Sequence, residues 1–193
     1  MLEVYRAADV LQKHCESQHW RFCLIGGLAL QRGGEPRETI DVDVTLLTGF
    51  GSEERFIREI LSWYEPRVTD PVGFALRNRV VLVQAPSGVG IDIALGGLPF
   101  EEAAVERSTL YEFAPGISLR TASAEDLIVM KAFASRAKDW VDVEGMAIRQ
   151  AGRLDWAYVL GHLTPLAELK GEPEILDRLA AVRASVDEKT AGL

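Results

Sequence analysis

Cysteine is almost missing from this chain. Only Cys15 and Cys23 occur in 193 residues. One falls in a helical pattern and the other in an apolar, strand-like run, so both are expected to be reduced, small core residues. Histidine is scarce too. His14, His19 and His162 show no ligand spacing, which excludes a zinc centre from the expectation. No basic tract is present, and the net charge is −8. Broad non-specific binding to nucleic acid is therefore not expected, although net charge leaves a local basic groove open. No run approaches the roughly 20 apolar residues of a membrane span. Lys13 and Glu16 interrupt the N-terminal segment, so no signal peptide is expected. The default expectation is a cytoplasmic protein with no membrane partner. There are no internal repeats, low-complexity tracts or evident linkers.

What is present is an ordinary globular composition, 48% hydrophobic and 26% charged. That is enough for a sizeable core, as one domain or one domain with a helical appendage. The chain is organised around Leu24-Ile25-Gly26-Gly27 and Thr39-Ile40-Asp41-Val42-Asp43-Val44. If Ile40 to Leu46 is a strand, Asp41 and Asp43 share one face, and Ile40, Val42 and Val44 share the other. Two like charges on one face repel unless a positive group sits between them. A hard divalent cation held by carboxylate oxygens is such a group.

The pattern elsewhere predicts a helix over residues 2–17 and a buried strand over 20–25 ended by Gly26-Gly27. A short helix is expected over 28–32, stopped by Gly33-Gly34. A loop over 35–38 carries Pro36 and Arg37. Ser52 starts a helix over 53–63. Strands are expected at 74–77, 80–84 and 89–95, with a turn at 85–88. A short helix runs over 99–107, and two edge strands follow at 109–113 and 117–119. From the N-cap signature Ser123-Ala124-Glu125-Asp126 onward the pattern is helical, near 123–136, 139–150, 155–168 and 173–187. The expected fold class is α+β, with a sheet core over residues 1–120 and a helical C-terminal part, 121–193, packed on it.

An Asp-x-Asp pair alone is weak and suits the solvent face of an edge strand. Three further features add weight. Glycines before the pair let backbone N–H groups approach an anion, and a helix N-terminus adds a favourable dipole. Asp92 sits in Gly90-Ile91-Asp92-Ile93-Ala94, an acid among aliphatics that needs a partner if buried. Lys131, with Arg136 and Lys138 nearby, lies on a later helix and can meet a phosphate as a point charge. These are the parts of a two-metal phosphoryl or nucleotidyl transfer. Carboxylates hold magnesium, a third acid ligates or takes a proton, and a glycine turn holds the triphosphate.

Gly26-Gly27, Asp41-Val42-Asp43 and Asp92 together resemble the signature of the nucleotidyltransferase superfamily that includes DNA polymerase beta. Arg37-x-Thr39-x-Asp41 and Asp126-Leu127-Ile128, Lys131 and Arg136-x-Lys138-Asp139-x-x-Asp142 resemble, more narrowly, the AbiEii-type toxin nucleotidyltransferases. The resemblance spans residues 20–145. It implies a mixed-sheet nucleotidyltransferase core flanked by helices. Asp41, Asp43 and Asp92 are then the catalytic metal ligands for Mg2+, with Asp92 also a candidate general base. Gly26, Gly27 and Lys131 bind the nucleotide. The family frequently has Ser where Gly27 stands, so one hydroxyl contact to phosphate is missing. Asp139 and Asp142 read either as part of this motif or as a helix N-cap and a solvated helix face.

The implied activity moves an NMP from an NTP, ATP included, to a hydroxyl acceptor on tRNA, a protein or a small molecule. The implied setting is a toxin–antitoxin pair with a cognate antitoxin protein. The alternative is a catalytically idle nucleotide- or partner-binding module of the same fold. A glycosyltransferase using Asp-x-Asp with a nucleotide sugar is disfavoured by the upstream glycines and Asp92. Arg32, Arg77 and Arg79 read as a solvated surface more than an acceptor groove; Arg37 is the exception, since it lies in the loop leading to the metal-binding strand. Trp20, Trp63, Trp140 and Trp156 read as packing anchors more than stacking platforms.

Overall fold

The computed structural model describes residues 1–34 and 38–190. Arg37, expected in the loop before the metal-binding strand, lies outside the described residues. The chain forms two compact units, Met1–Leu28 with Glu38–Ala122, and Ala29–Arg37 with Ser123–Leu193. The fold class is α+β, as expected.

The first unit holds a mixed sheet. Along the chain come α1 (Leu2–Ser17), β1 (Phe22–Leu24), α2 (Gly26–Gly33), β2 (Asp41–Leu47), α3 (Glu53–Trp63), β3 (Glu65–Pro66), α4 (Pro71–Asn78), β4 (Val80–Gln84), β5 (Gly90–Gly96), α5 (Pro99–Arg107), β6 (Thr109–Ala114) and β7 (Ile117–Thr121). The strand order is β3-β4-β5-β2-β1-β7-β6. β2 runs parallel to β5, and β1 parallel to β7. The other neighbouring pairs are antiparallel.

The core follows from alternation. Val42, Val44 and Leu46 of β2 are buried, as are Ile91, Ile93 and Leu95 of β5. They form one cluster with Leu11 of α1 and with Phe56, Ile57 and Ile60 of α3. Burying such side chains contributes about 1.5–3 kcal/mol each. Asp41, Asp43 and Asp92 are left on the opposite face, partly open.

Several expectations need correction. Gly26-Gly27 does not precede a helix; the two glycines open α2. Ile40 lies before β2 and is 77% exposed, so it takes no part in the core face. Residues 74–77 are not a strand but the body of α4. Asp70 caps that helix by accepting from the Gly73 N–H at 3.0 Å, and Pro71 stands at its first turn. This N-cap and proline pair outweighs the short apolar run. Of the two strands expected at an edge, only β6 is one, since β7 also pairs with β1. β6 carries a register shift between Glu112 and Ala114. Cys15 and Cys23 are free and buried, as expected. Burial pushes the Cys15 thiol up to about 12.

The second unit contains the later part of α2 and four helices: α6 (Ala124–Ala134), α7 (Ala137–Arg149), α8 (Trp156–Lys170) and α9 (Glu174–Thr190). α6 packs on α7 and α8, and α9 on α7 and α8. The N-cap signature is realised as a capping box. The Asp126 N–H donates to Ser123 Oγ at 3.2 Å, and the Ser123 N–H donates to Asp126 Oδ2 at 3.2 Å. Trp140 is buried, with Arg178 stacked over its ring at 4.6 Å. No helix among the described residues is long and apolar enough to cross a membrane.

Candidate active site

The parallel pairing of β2 with β5 sets the register Asp41↔Gly90, Asp43↔Asp92 and Thr45↔Ala94. Paired residues on adjacent strands point to the same face, and residues two apart share it. Asp41, Asp43 and Asp92 therefore stand on one face. The topology brings together acids about 50 residues apart in the sequence.

The glycine turn is fitted to this face by the space its missing side chains leave. Gly26 has a left-handed φ of +59°, and a Cβ there would stand 2.0 Å from Asp43 Oδ2. The next residue is fitted in the same way: a Cβ at Gly27 would stand 2.4 Å from Thr39 Oγ1. The Ile25 N–H donates to the Asp43 carbonyl at 2.9 Å. This fixes the end of β1 and the start of α2 against β2. A serine at 27 would have to displace the Thr39 hydroxyl, so the departure at Gly27 has a local steric reason.

Two partners were not evident as such in the sequence. Thr39 is buried, and its hydroxyl donates to Asp41 Oδ1 at 3.2 Å. The sequence signal for it was its place in Arg37-x-Thr39-x-Asp41, which marked the position but not the bond. Arg67, just beyond β3, donates from Nη2 to Asp92 Oδ1. No pattern pointed to Arg67, because the contact closes only when β3, β4 and β5 pair. Burial pushes the Asp92 carboxyl above its ordinary range. The Arg67 guanidinium pulls it down, and the nearby Asp41 charge pushes it up.

The donor set on this face consists of carboxylate oxygens, with a hydroxyl and backbone groups beside it. Such hard donors suit magnesium or a similar ion rather than zinc or copper. As the side chains stand, no three His, Cys, Asp or Glu among the described residues form a group that could hold a metal ion. Asp92 is engaged by Arg67. The set fits a divalent cation in the chemistry of its donors, while its side chains as they stand form no group of three that could hold one.

Lys131 belongs to the second unit. It is buried, and its Nζ bonds Asp139 Oδ1 at 3.2 Å and Asp142 Oδ2 at 2.8 Å. Asp139 is fully buried and also accepts from the Arg136 backbone N–H at 3.3 Å and from its Nε at 2.5 Å. Asp139 thus does serve at a helix start. Asp142, whose side chain is 11% exposed, is not on a solvated face. Burial raises the Asp139 carboxyl, but Arg136 and Lys131 outweigh it and hold it below the ordinary range. Arg79 is structural. It donates to Glu53 and to the Gly49 and Leu95 carbonyls. Arg77 is exposed against Asp70.

The chain matches the model of the family described as nucleotidyl transferase AbiEii toxin, type IV toxin–antitoxin system, over residues 10–154. Among solved structures it resembles an antigenic nucleotidyltransferase-like protein from Paracoccidioides brasiliensis. That likeness has 16% identity, covers 93% of each chain and has a TM-score of 0.52. A weaker likeness is to ANT(2")-Ia in complex with adenylyl-2"-tobramycin, at 16% identity, 96% and 99% coverage and a TM-score of 0.45. No curated protein matches the sequence closely.

Proposed function

The chain belongs to the AbiEii nucleotidyl transferase family, and we propose that it is a working enzyme that moves an NMP from an NTP to a hydroxyl acceptor. The single observation that carries this is the register of β2 on β5, which sets Asp43 beside Asp92 on the face where Gly26 makes room for Asp43. Asp41, Asp43 and Asp92 would hold magnesium. When bound, magnesium supplies charge stabilisation at the attacking and leaving oxygens of an in-line displacement. Gly26 and Gly27 present the start of α2 to the triphosphate, where free backbone N–H groups and the helix dipole favour an anion. Lys131, which the resemblance gives as a phosphate contact, lies in the second unit, where its ammonium is bonded to Asp139 and Asp142.

In the transfer, the acceptor oxygen bonds the α-phosphorus and the bond to the β-phosphate's bridging oxygen breaks. Pyrophosphate leaves, and the acceptor's proton passes to Asp92. The acceptor is the 3′ end of a tRNA, a protein side chain or a small molecule. The family's toxin–antitoxin description supports reading the chain as the toxin of a pair, with an antitoxin protein as partner.

The Arg67–Asp92 bond favours a second reading, in which the fold binds nucleotide or a partner without catalysis. One experiment separates the two. Purified protein is incubated with magnesium, each α-labelled NTP, and total tRNA or lysate, alongside Asp41→Ala. Label transfer by the wild type and its loss in the variant is the expected result. Transfer that survives the substitution refutes the assigned site. Absence of transfer, with no magnesium-dependent thermal shift by any nucleotide, leaves the idle module.

A further inference from the structure

Arg67 is placed with more care than a surface arginine needs. Its backbone N–H donates to the Leu82 carbonyl at 3.0 Å, which pins the residue beside β4. Its side chain then crosses β5 at Gly90, where a Cβ would stand 2.8 Å from Nη1. Any side chain at 90 would press on the guanidinium. The same point lies 3.9 Å from Asp41 Cβ, and Asp41 is the register partner of Gly90. The guanidinium ends on Asp92, with the two side chains 33% and 34% exposed. Arg67 thus delivers positive charge where carboxylates on neighbouring strands repel one another. A divalent cation ligated by Asp92 would have to take over that role.

We propose that Arg67 is a positioning residue that holds Asp92 in the cation-free protein, is displaced from it when the cation binds, and then pairs with the phosphates of the incoming nucleotide. This rests on the reading of Asp41, Asp43 and Asp92 as metal ligands. A guanidinium suits both duties, because its planar fork bonds carboxylate and phosphate oxygens alike. The exchange couples the ligands: the cation alone binds against Arg67, whereas with nucleotide present the released guanidinium has phosphate oxygens to pair with. If Asp92 is free of Arg67 one-tenth of the time, the cation's affinity falls about tenfold.

The test measures Mn2+ binding by calorimetry, without and with a non-hydrolysable NTP, in wild type, Arg67→Gln, Arg67→Lys and Asp41→Ala. Circular dichroism checks that each variant is folded. The expected result for Arg67→Gln is Mn2+ binding about tenfold tighter without nucleotide and nucleotide binding weaker with Mn2+. Arg67→Lys should fall between it and wild type. Mn2+ binding that is unchanged or weaker in both arginine variants, while wild type binds Mn2+ and Asp41→Ala does not, overturns the exchange alone. Wild type that takes no Mn2+ with or without nucleotide overturns the metal-site reading itself, and the exchange with it.

Discussion

Asp139 in the helical unit and Asp92 in the sheet unit are both carboxylates held by an arginine, and their surroundings treat them oppositely. Asp139 is wholly buried, with Lys131 and Arg136 bonded to it, and its carboxyl is held low. Asp92 is a third exposed, and its carboxyl is pushed up by burial and then by the nearby Asp41 charge, against the pull of Arg67. A buried charge that is fully bonded stabilises the charged form and, with it, the fold. At Asp92 the cost of burial is not fully offset by Arg67, so the charged form is disfavoured there.

The comparison can be broken in four places. Asp43→Asn should lower nucleotidyl transfer by roughly 1000-fold, about 4 kcal/mol of transition-state stabilisation. Its urea unfolding should match the wild type or improve on it. A large loss of stability would show that the sheet acids are structural after all. Asp139→Ala should do the reverse in denaturation, costing about 3 kcal/mol because Lys131 loses a buried partner. A cost near zero would remove the distinction between the two units. Gly26→Ala should cost about 1–2 kcal/mol for its left-handed backbone. It should also weaken Mn2+ binding, since the new methyl group collides with Asp43. Unchanged metal binding would mean that Asp43 is not where the cation sits.

The smallest effect is on acid stability. Asp139's folded value lies below its unfolded one. Its contribution is complete above the ordinary carboxylate value near 4 and is lost as pH falls through the folded value. Wild type should therefore lose stability more steeply than Asp139→Asn as the pH drops below about 4. Parallel curves would deny the pairing with Lys131 and Arg136 any net value.

Much of this was legible because local chemistry dictated it. Periodicity placed α1, α3 and α5 and the helices from α6 onward, and the alternating acids Asp41 and Asp43 in β2 announced their common face, whereas the place of Asp92 beside them came only from the register of β2 on β5. Residues 74–77 were misread because VGFALR is apolar enough for a strand, while the decisive signal, Asp70 before Pro71, lay just upstream. Arg67 was invisible for another reason. Its value depends on three strands meeting, and no spacing in the sequence encodes that. The glycines were legible as a motif but not in their steric role, because their neighbours arrive from elsewhere in the chain, Asp43 from β2 and Thr39 from the residues just before it.

The sheet's two borders have a consequence for the protein at high concentration. β3 is only two residues long and ends in Pro66, which offers no N–H to an incoming strand. β6 exposes Leu110 and Tyr111, yet its ladder is dislocated at Glu112. One border is too short to serve as a template for stacking, and the other is too crooked and charged. Filament growth from the native state is thereby discouraged at either margin.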